Sequence, residues 1–195
     1  MKTNYLILSA IAVSLFFFGC SPSSENSEST PSAEEVLSEP TYNFVKQHAL
    51  TWEEAIKQID ELADAMPEEM YSYRPHDSLM TFAEQLVHIG GSSKVMAGMF
   101  LKDQQPDGPP PQMNLSDMSR EEIKDMVRTN LQETGDIIAS MSDEQLQEEV
   151  KSFSGNDMTR QQAIMLIHDH LTNHKAKVNL YVRVSGNTPP DYRYY

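Results

Sequence analysis

The sequence predicts an all-α fold, a four-helix bundle, and three observations predict it. Ser or Thr followed three residues later by Glu or Gln occurs at Thr81/Glu84, Ser119/Glu122, Ser142/Gln145 and Thr159/Gln162. In this capping-box pattern the two side chains satisfy backbone N–H groups that a helix start leaves without partners. Behind these starts, apolar residues recur at steps of three and four, the period of an amphipathic helix. Alternating runs of the kind that make strands are almost absent. A chain of 195 residues suits one such domain with appendages.

The appendages come first. Lys2 gives a positive start, and Tyr5–Phe18 is an apolar run without charge, too short for a comfortable membrane span of about 20 residues. The run ends in Phe17-Phe18-Gly19-Cys20, which resembles the lipobox of bacterial lipoproteins, with Phe17 where Leu is usual. Residues 1–20 are therefore expected to be a lipoprotein signal peptide and Cys20 the lipidated residue. Residues 21–40 are rich in Ser, Glu and Pro. They cannot bury enough apolar surface to offset their ordering entropy, so they are expected to be a disordered tether. Together these features predict an exported protein, lipid-anchored to the cell envelope, periplasmic or on the outer membrane. Its folded domain is expected to span 41–195.

A first helix fits Thr41–Met66, with Phe44, Leu50, Trp52, Ile56, Ile59 and Leu62 on its apolar side and Pro67 as its stop. A second runs from about Thr81 to Leu101 on the stripe Phe82, Leu86, Ile89, Met96 and Phe100. A third covers about Ser119 to Met141, with Ile123, Val127, Leu131 and Ile138 facing inward. Ser142–Glu149 adds a short helical turn. The last helix, about Thr159 to Ser185, carries the inward stripe Ala163, Ile167, His170, His174, Val178 and Tyr181, and Gly186 suits a left-handed cap. The connection Lys102–Met118 is long and holds Pro106, Pro109, Pro110 and Pro111, so it can cross the bundle rather than turn tightly. A simple up-down-up-down order is therefore not expected. The methionines read as flexible core filler.

Charge and cysteine content remove whole classes of function. A formal net charge of −14 and a pI near 4.7 leave no basic surface for phosphates, so no nucleic-acid partner is expected. The single cysteine excludes an intramolecular disulfide and any thiolate cluster. A metal would have to use histidine, carboxylate or water.

Of six histidines, His170 and His174 stand four apart on the inward face of the last helix, one ring a turn above the other. On its own such a pair can hold one ion, but it fits two half-buried side chains bonded to backbone or water somewhat better. His168 is turned well round the helix and reads as surface or as support for the ligands. His88 flanks the apolar stripe of the second helix by about 100°, and periodicity alone does not select it. Glu84 and Asp169, near these positions, are carboxylates that could serve as base or ligand support.

Two segments resemble the DinB/YfiT-like superfamily of metalloenzymes. Tyr73-Arg74-Pro75 through Leu86-Val87-His88-Ile89 is similar to that family's entry into its second helix. His170-Leu-Thr-Asn-His174, followed by Tyr181-Val-Arg183 and then Gly186-Asn-Thr-Pro189-Pro190, is similar to its final helix. With the helix spacing, the resemblance covers Thr41–Tyr192. It implies an up-down-down-up bundle with a metal site on His88, His170 and His174. The implied cofactor is a divalent metal, zinc or nickel first, with iron and manganese as alternatives. Lys175-Ala176-Lys177 departs from the family's usual Arg-Gly-Gln. Characterised relatives include thiol-dependent transferases and isomerases and a metal-dependent hydrolase. The resemblance thus implies a hydrolase or transferase for a small molecule, with a non-catalytic metal-binding lipoprotein as the alternative. Export weakens the thiol-dependent version, because small thiols concentrate in the cytoplasm. Dimerisation is known among relatives, so a homodimer stays open, but no residue here singles out an interface.

Overall fold

All four expected capping boxes form: the side chains of Thr81, Ser119, Ser142 and Thr159 each accept from the backbone three residues on, and each partner side chain reaches back. The computed structural model describes residues 43–106, 108 and 113–194. The expected signal peptide, Cys20, the tether, Thr41 and Pro109–Pro111 lie outside the described residues.

Helix α1 spans Phe44–Ala65 and starts slightly later than expected, because Asn43 caps it by accepting from Lys46 N at 2.7 Å. It ends where Met66, the residue before Pro67, is forced into extended backbone. Helices α2 (Phe82–Leu101), α3 (Arg120–Ala139) and α5 (Arg160–Val184) follow their caps closely. A one-turn helix α4, Asp143–Leu146, fills the expected position after Ser142. Past α5, Gly186 adopts φ +88°, with Asn187 N bonding Val182 O and Gly186 N bonding Arg183 O. This is the paired-bond ending that a left-handed residue allows.

One element was not anticipated. Strands β1 (Glu149–Lys151) and β2 (Asp157–Thr159) form an antiparallel hairpin with Glu149 opposite Thr159. Three residues per strand are too few to show an alternating pattern.

Side-chain pairs fix the direction of each helix. Gly90 lies against Val127, and Lys94 pairs with Glu133, so α2 and α3 run parallel. Trp52 Nε1 donates to Leu131 O and Asp64 pairs with Lys124, so α1 and α3 are antiparallel. Gln85 meets His174 and Phe100 O meets Arg160, so α2 and α5 are antiparallel. His48 meets His168 and Gln58 meets Lys175, so α1 and α5 are parallel. The order is up-down-down-up, with each of α1 and α2 packed on both α3 and α5. Two successive parallel helices require the chain between them to travel the length of the bundle, which explains the long 102–119 connection.

The predicted stripes of α2 and α3 are buried throughout. At roughly 1.5–3 kcal/mol for each fully buried large apolar side chain, Phe82, Leu86, Ile89, Leu131 and their neighbours supply most of the drive to fold. Two readings need correction. Leu50, placed on the apolar side of α1, is 50% exposed. On α5 the buried face also takes in Ile164, Leu171 and Val182, which rotates its centre away from His170 and His174 and leaves both half-buried. The methionines divide between core (Met66, Met96) and surface (Met80, Met113, Met165).

Candidate metal centre

The register between α2 and α5 is set at one end by Arg160. Its guanidinium donates to Phe100 O at 2.7 Å and pairs with Asp103 and Glu148, tying the start of α5 to the end of α2. Twelve residues back from Phe100 is His88, and twelve on from Arg160 is Thr172, midway between His170 and His174. At 1.5 Å per residue both lie about 18 Å from the anchor. Antiparallel packing therefore brings His88 level with the His170/His174 pair. Gly90 helps from the other side. A Cβ there would come within 3.0 Å of Val127 Cα, so its absence lets α3 approach closely behind His88.

The three rings do meet. His88 Nε2 and His170 Nε2 are 3.2 Å apart. Ring centroids lie 4.3 Å apart for His88–His174, 4.6 Å for His170–His174 and 5.2 Å for His88–His170. One ligand nitrogen from each ring lies within 4.8 Å of the other two. For comparison, two nitrogens at 2.1 Å from a tetrahedral ion stand about 3.4 Å apart.

Gln85, one turn before His88, was missed in the sequence. Its amide oxygen is 2.8 Å from His174 Nδ1. An amide oxygen only accepts, so Nδ1 carries the proton and the lone pair of His174 is left on Nε2. Support of this kind from behind a ligand ring fixes its tautomer and orientation. Gln85 is buried, and a polar side chain among apolar residues of a capped helix was the available signal.

Burial is the main reason that all three imidazoles resist protonation. It lowers the His174 pKa to about 4, helped by the charges of His88, Lys177 and His170. His88 and His170 are lowered as well, again chiefly by burial and further by Lys177. At neutral pH the rings are uncharged and can offer lone pairs. The donor set, three neutral imidazoles with one tautomer fixed, fits a borderline divalent ion and does not suit calcium or magnesium, which require oxygen ligands.

The other candidates sit elsewhere. Glu84 is the capping partner of Thr81, its Oε2 accepting from Thr81 N at 2.6 Å. Asp169 is exposed, next to His170 in sequence, and its charge partly opposes the lowering of the His170 pKa. His168 neither sits on the open surface nor supports the triad. It turns to α1, where its Nδ1 is 3.2 Å from His48 Nε2.

A model of the DinB family matches residues 40–195, most of the chain. The protein belongs to the DinB family. This DinB-family protein is 26% identical over 131 residues to YjoA of Bacillus subtilis strain 168, a match covering 66% of this chain and 82% of YjoA. The crystal structure of a DinB-like protein, YjoA, from Bacillus subtilis superposes with a TM-score of 0.61 at 23% identity, over 77% of this chain and 96% of that one. A DinB-like protein from Bacillus cereus gives 0.58 at 19% identity, over 77% and 95%. A conserved protein from Enterococcus faecalis gives 0.56 at 13% identity, over 73% and 97%. These three likenesses establish the fold.

Proposed function

We propose that this DinB-family protein binds one divalent metal through His88, His170 and His174 and acts as a metal-dependent hydrolase or transferase on a small molecule. The observation that carries the reading is the convergence of three neutral imidazoles from two helices, with Gln85 holding the tautomer of His174. Zinc or nickel suits these ligands best, and iron or manganese is the next choice. Three protein ligands leave a coordination position for something other than protein, as catalytic sites do and closed structural sites do not. A metal held there would supply Lewis acidity to a bound small molecule. The chain's own contribution is to hold three lone pairs uncharged at neutral pH and to aim them at one point.

The same proposal places the protein outside the cytoplasm. The apolar run before Cys20 and the polar segment after it support export and lipid anchoring. Mass spectrometry of the membrane fraction tests this, since a lipidated Cys20 adds a diacylglycerol mass that Cys20→Ala removes.

A second reading, a metal-binding lipoprotein without catalysis, is favoured by two observations. Glu84 is committed to its helix cap, and the cavity of about 520 Å³ between α1 and α3 does not reach the triad. Metal analysis of the purified protein tests both readings. About one equivalent of metal is expected, lost in His88→Ala and His174→Ala. A panel of ester, amide and thiol substrates then separates them: turnover that disappears in His174→Ala supports the enzyme, and metal without turnover supports the second reading.

A further inference from the structure

Five of the six histidines fall into two clusters, and the metal triad uses only three. The other two, His48 on α1 and His168 on α5, stand at a groove of about 360 Å³ between these helices, a volume in the lower part of the range of about 300–1,000 Å³ usual for small-molecule sites. The groove is lined by no residue of the triad. We infer that it is a second binding site, for a small organic monocarboxylate with a flat apolar body.

The polar end of the groove is rich in donors. His48 is 7% exposed; its Nδ1 is buried with no hydrogen-bond partner among the described residues, and its Nε2 faces His168 Nδ1. Lys175 is half-buried. Its Nζ donates to Gln58 Oε1 at 3.0 Å and lies 5.4 Å from the centre of the Tyr192 ring. Neither contact neutralises it, and an ammonium has three N–H bonds to give.

The free N–H bonds of Lys175 select the ligand. Arg193 also lines the groove, but its guanidinium is held by Glu54 and Glu61, and among the described residues no carboxylate stands at contact distance from Lys175 Nζ. The N–H bonds of Lys175 that neither Gln58 nor the Tyr192 ring takes fit one carboxylate. A phosphate dianion would face the nearby Glu54 with too little cation to offset it. The walls supply the rest: Phe44, Met165 and Tyr192 are apolar or aromatic surfaces suited to a ring or branched chain.

Trp52 reports on the site through His48 and His168. It is the chain's single tryptophan, stacked 5.7 Å from His48 and edge-on at 5.8 Å from His168. The experiment titrates the full protein, with and without its metal, with benzoate, phenylacetate, benzyl alcohol, benzylamine and inorganic phosphate, following Trp52 fluorescence and calorimetric heat. Saturable binding of an aromatic carboxylate below about 10 mM is expected, with the alcohol, amine and phosphate binding at least about tenfold more weakly. Lys175→Met and Thr172→Phe, the latter narrowing the groove from an exposed position, should each weaken it by about tenfold or more, and Lys175→Arg should restore it. Metal content should be unchanged in all three variants. The inference is overturned if none of the carboxylates saturates, if Lys175→Met and Thr172→Phe leave binding intact, or if binding disappears with the metal or in His174→Ala. The last result would place the carboxylate on the triad. Because binding is read in metal-free protein too, this test stands or falls separately from the catalytic proposal.

Discussion

Gln85 on α2 accepts a hydrogen bond from Nδ1 of His174 on α5, at 2.8 Å, so one helix fixes the tautomer of a ring that the other carries. Replacing Gln85 by Leu keeps the approximate volume and removes the acceptor. Metal affinity, measured by competition with a chromophoric chelator, is expected to fall by about 10–100-fold with the helical spectrum unchanged. Equal affinities in the two proteins would mean that the contact does not support the ligand.

Metal should also stabilise the fold. A ligand that binds only the native state at 100 times its Kd adds about 2.7 kcal/mol. For a domain of this size that corresponds to a rise in Tm of roughly 5–10 °C. Calorimetry of zinc-loaded and chelator-treated protein should show the difference, and His170→Ala should abolish it. Identical melting with and without metal would count against the triad.

Acid should weaken the protein through His48. Burial lowers its pKa from 6.5 to about 4, assisted by the nearby His168. Above pH 6.5 neither state is protonated and His48 contributes nothing. Between pH 6.5 and about 4 the unfolded chain takes up a proton that the folded one refuses, so stability declines as the pH falls. The full penalty is roughly 3 kcal/mol. His48→Gln removes the titration. Urea midpoints at about pH 7.5 and about pH 4.5 should differ less in the variant, by roughly 2 kcal/mol. Parallel losses in both proteins would assign the acid sensitivity to other groups.

Two adjacent glycines should respond in opposite senses. A Cβ at Gly90 would lie 3.0 Å from Val127 Cα and 3.1 Å from its carbonyl oxygen, backbone atoms that cannot rotate away. At Gly91 it would meet nothing within 4 Å. Gly91→Ala is expected to stabilise by about 0.5–1 kcal/mol through helix propensity, and Gly90→Ala to destabilise by about 1–3 kcal/mol by forcing α2 and α3 apart. Since Gly90 sits behind His88, only the second variant should also lose metal affinity. Equal effects at both positions would show that close packing does not set the register.

The helices were legible because their signals are local. A capping box needs four consecutive residues, and each of the four predicted boxes formed. His88 was not legible from periodicity, because a side chain turned toward a neighbouring helix stands at the border of the buried stripe and not along its centre. Only the likeness of its flanking residues to a known family singled it out. The His48–His168 pair was invisible for a different reason. It depends on α1 and α5 running parallel in register, which no stretch of sequence encodes alone. The β1–β2 hairpin left no pattern in strands of three residues. The return of Arg193 onto Glu54 and Glu61 likewise depends on contacts between residues more than 130 apart in the chain.

His88 and His170 are 82 positions apart in the chain, on two helices that cannot come level until the long crossing segment has been laid down and α5 has docked. An ion gripped by both would work as a clasp closed last. Contacts made after the folding barrier leave the refolding rate almost untouched and slow the reverse reaction. The metal's main physical effect would then be on lifetime: a loaded molecule would stay folded far longer than an empty one, although both reach the native state at the same speed.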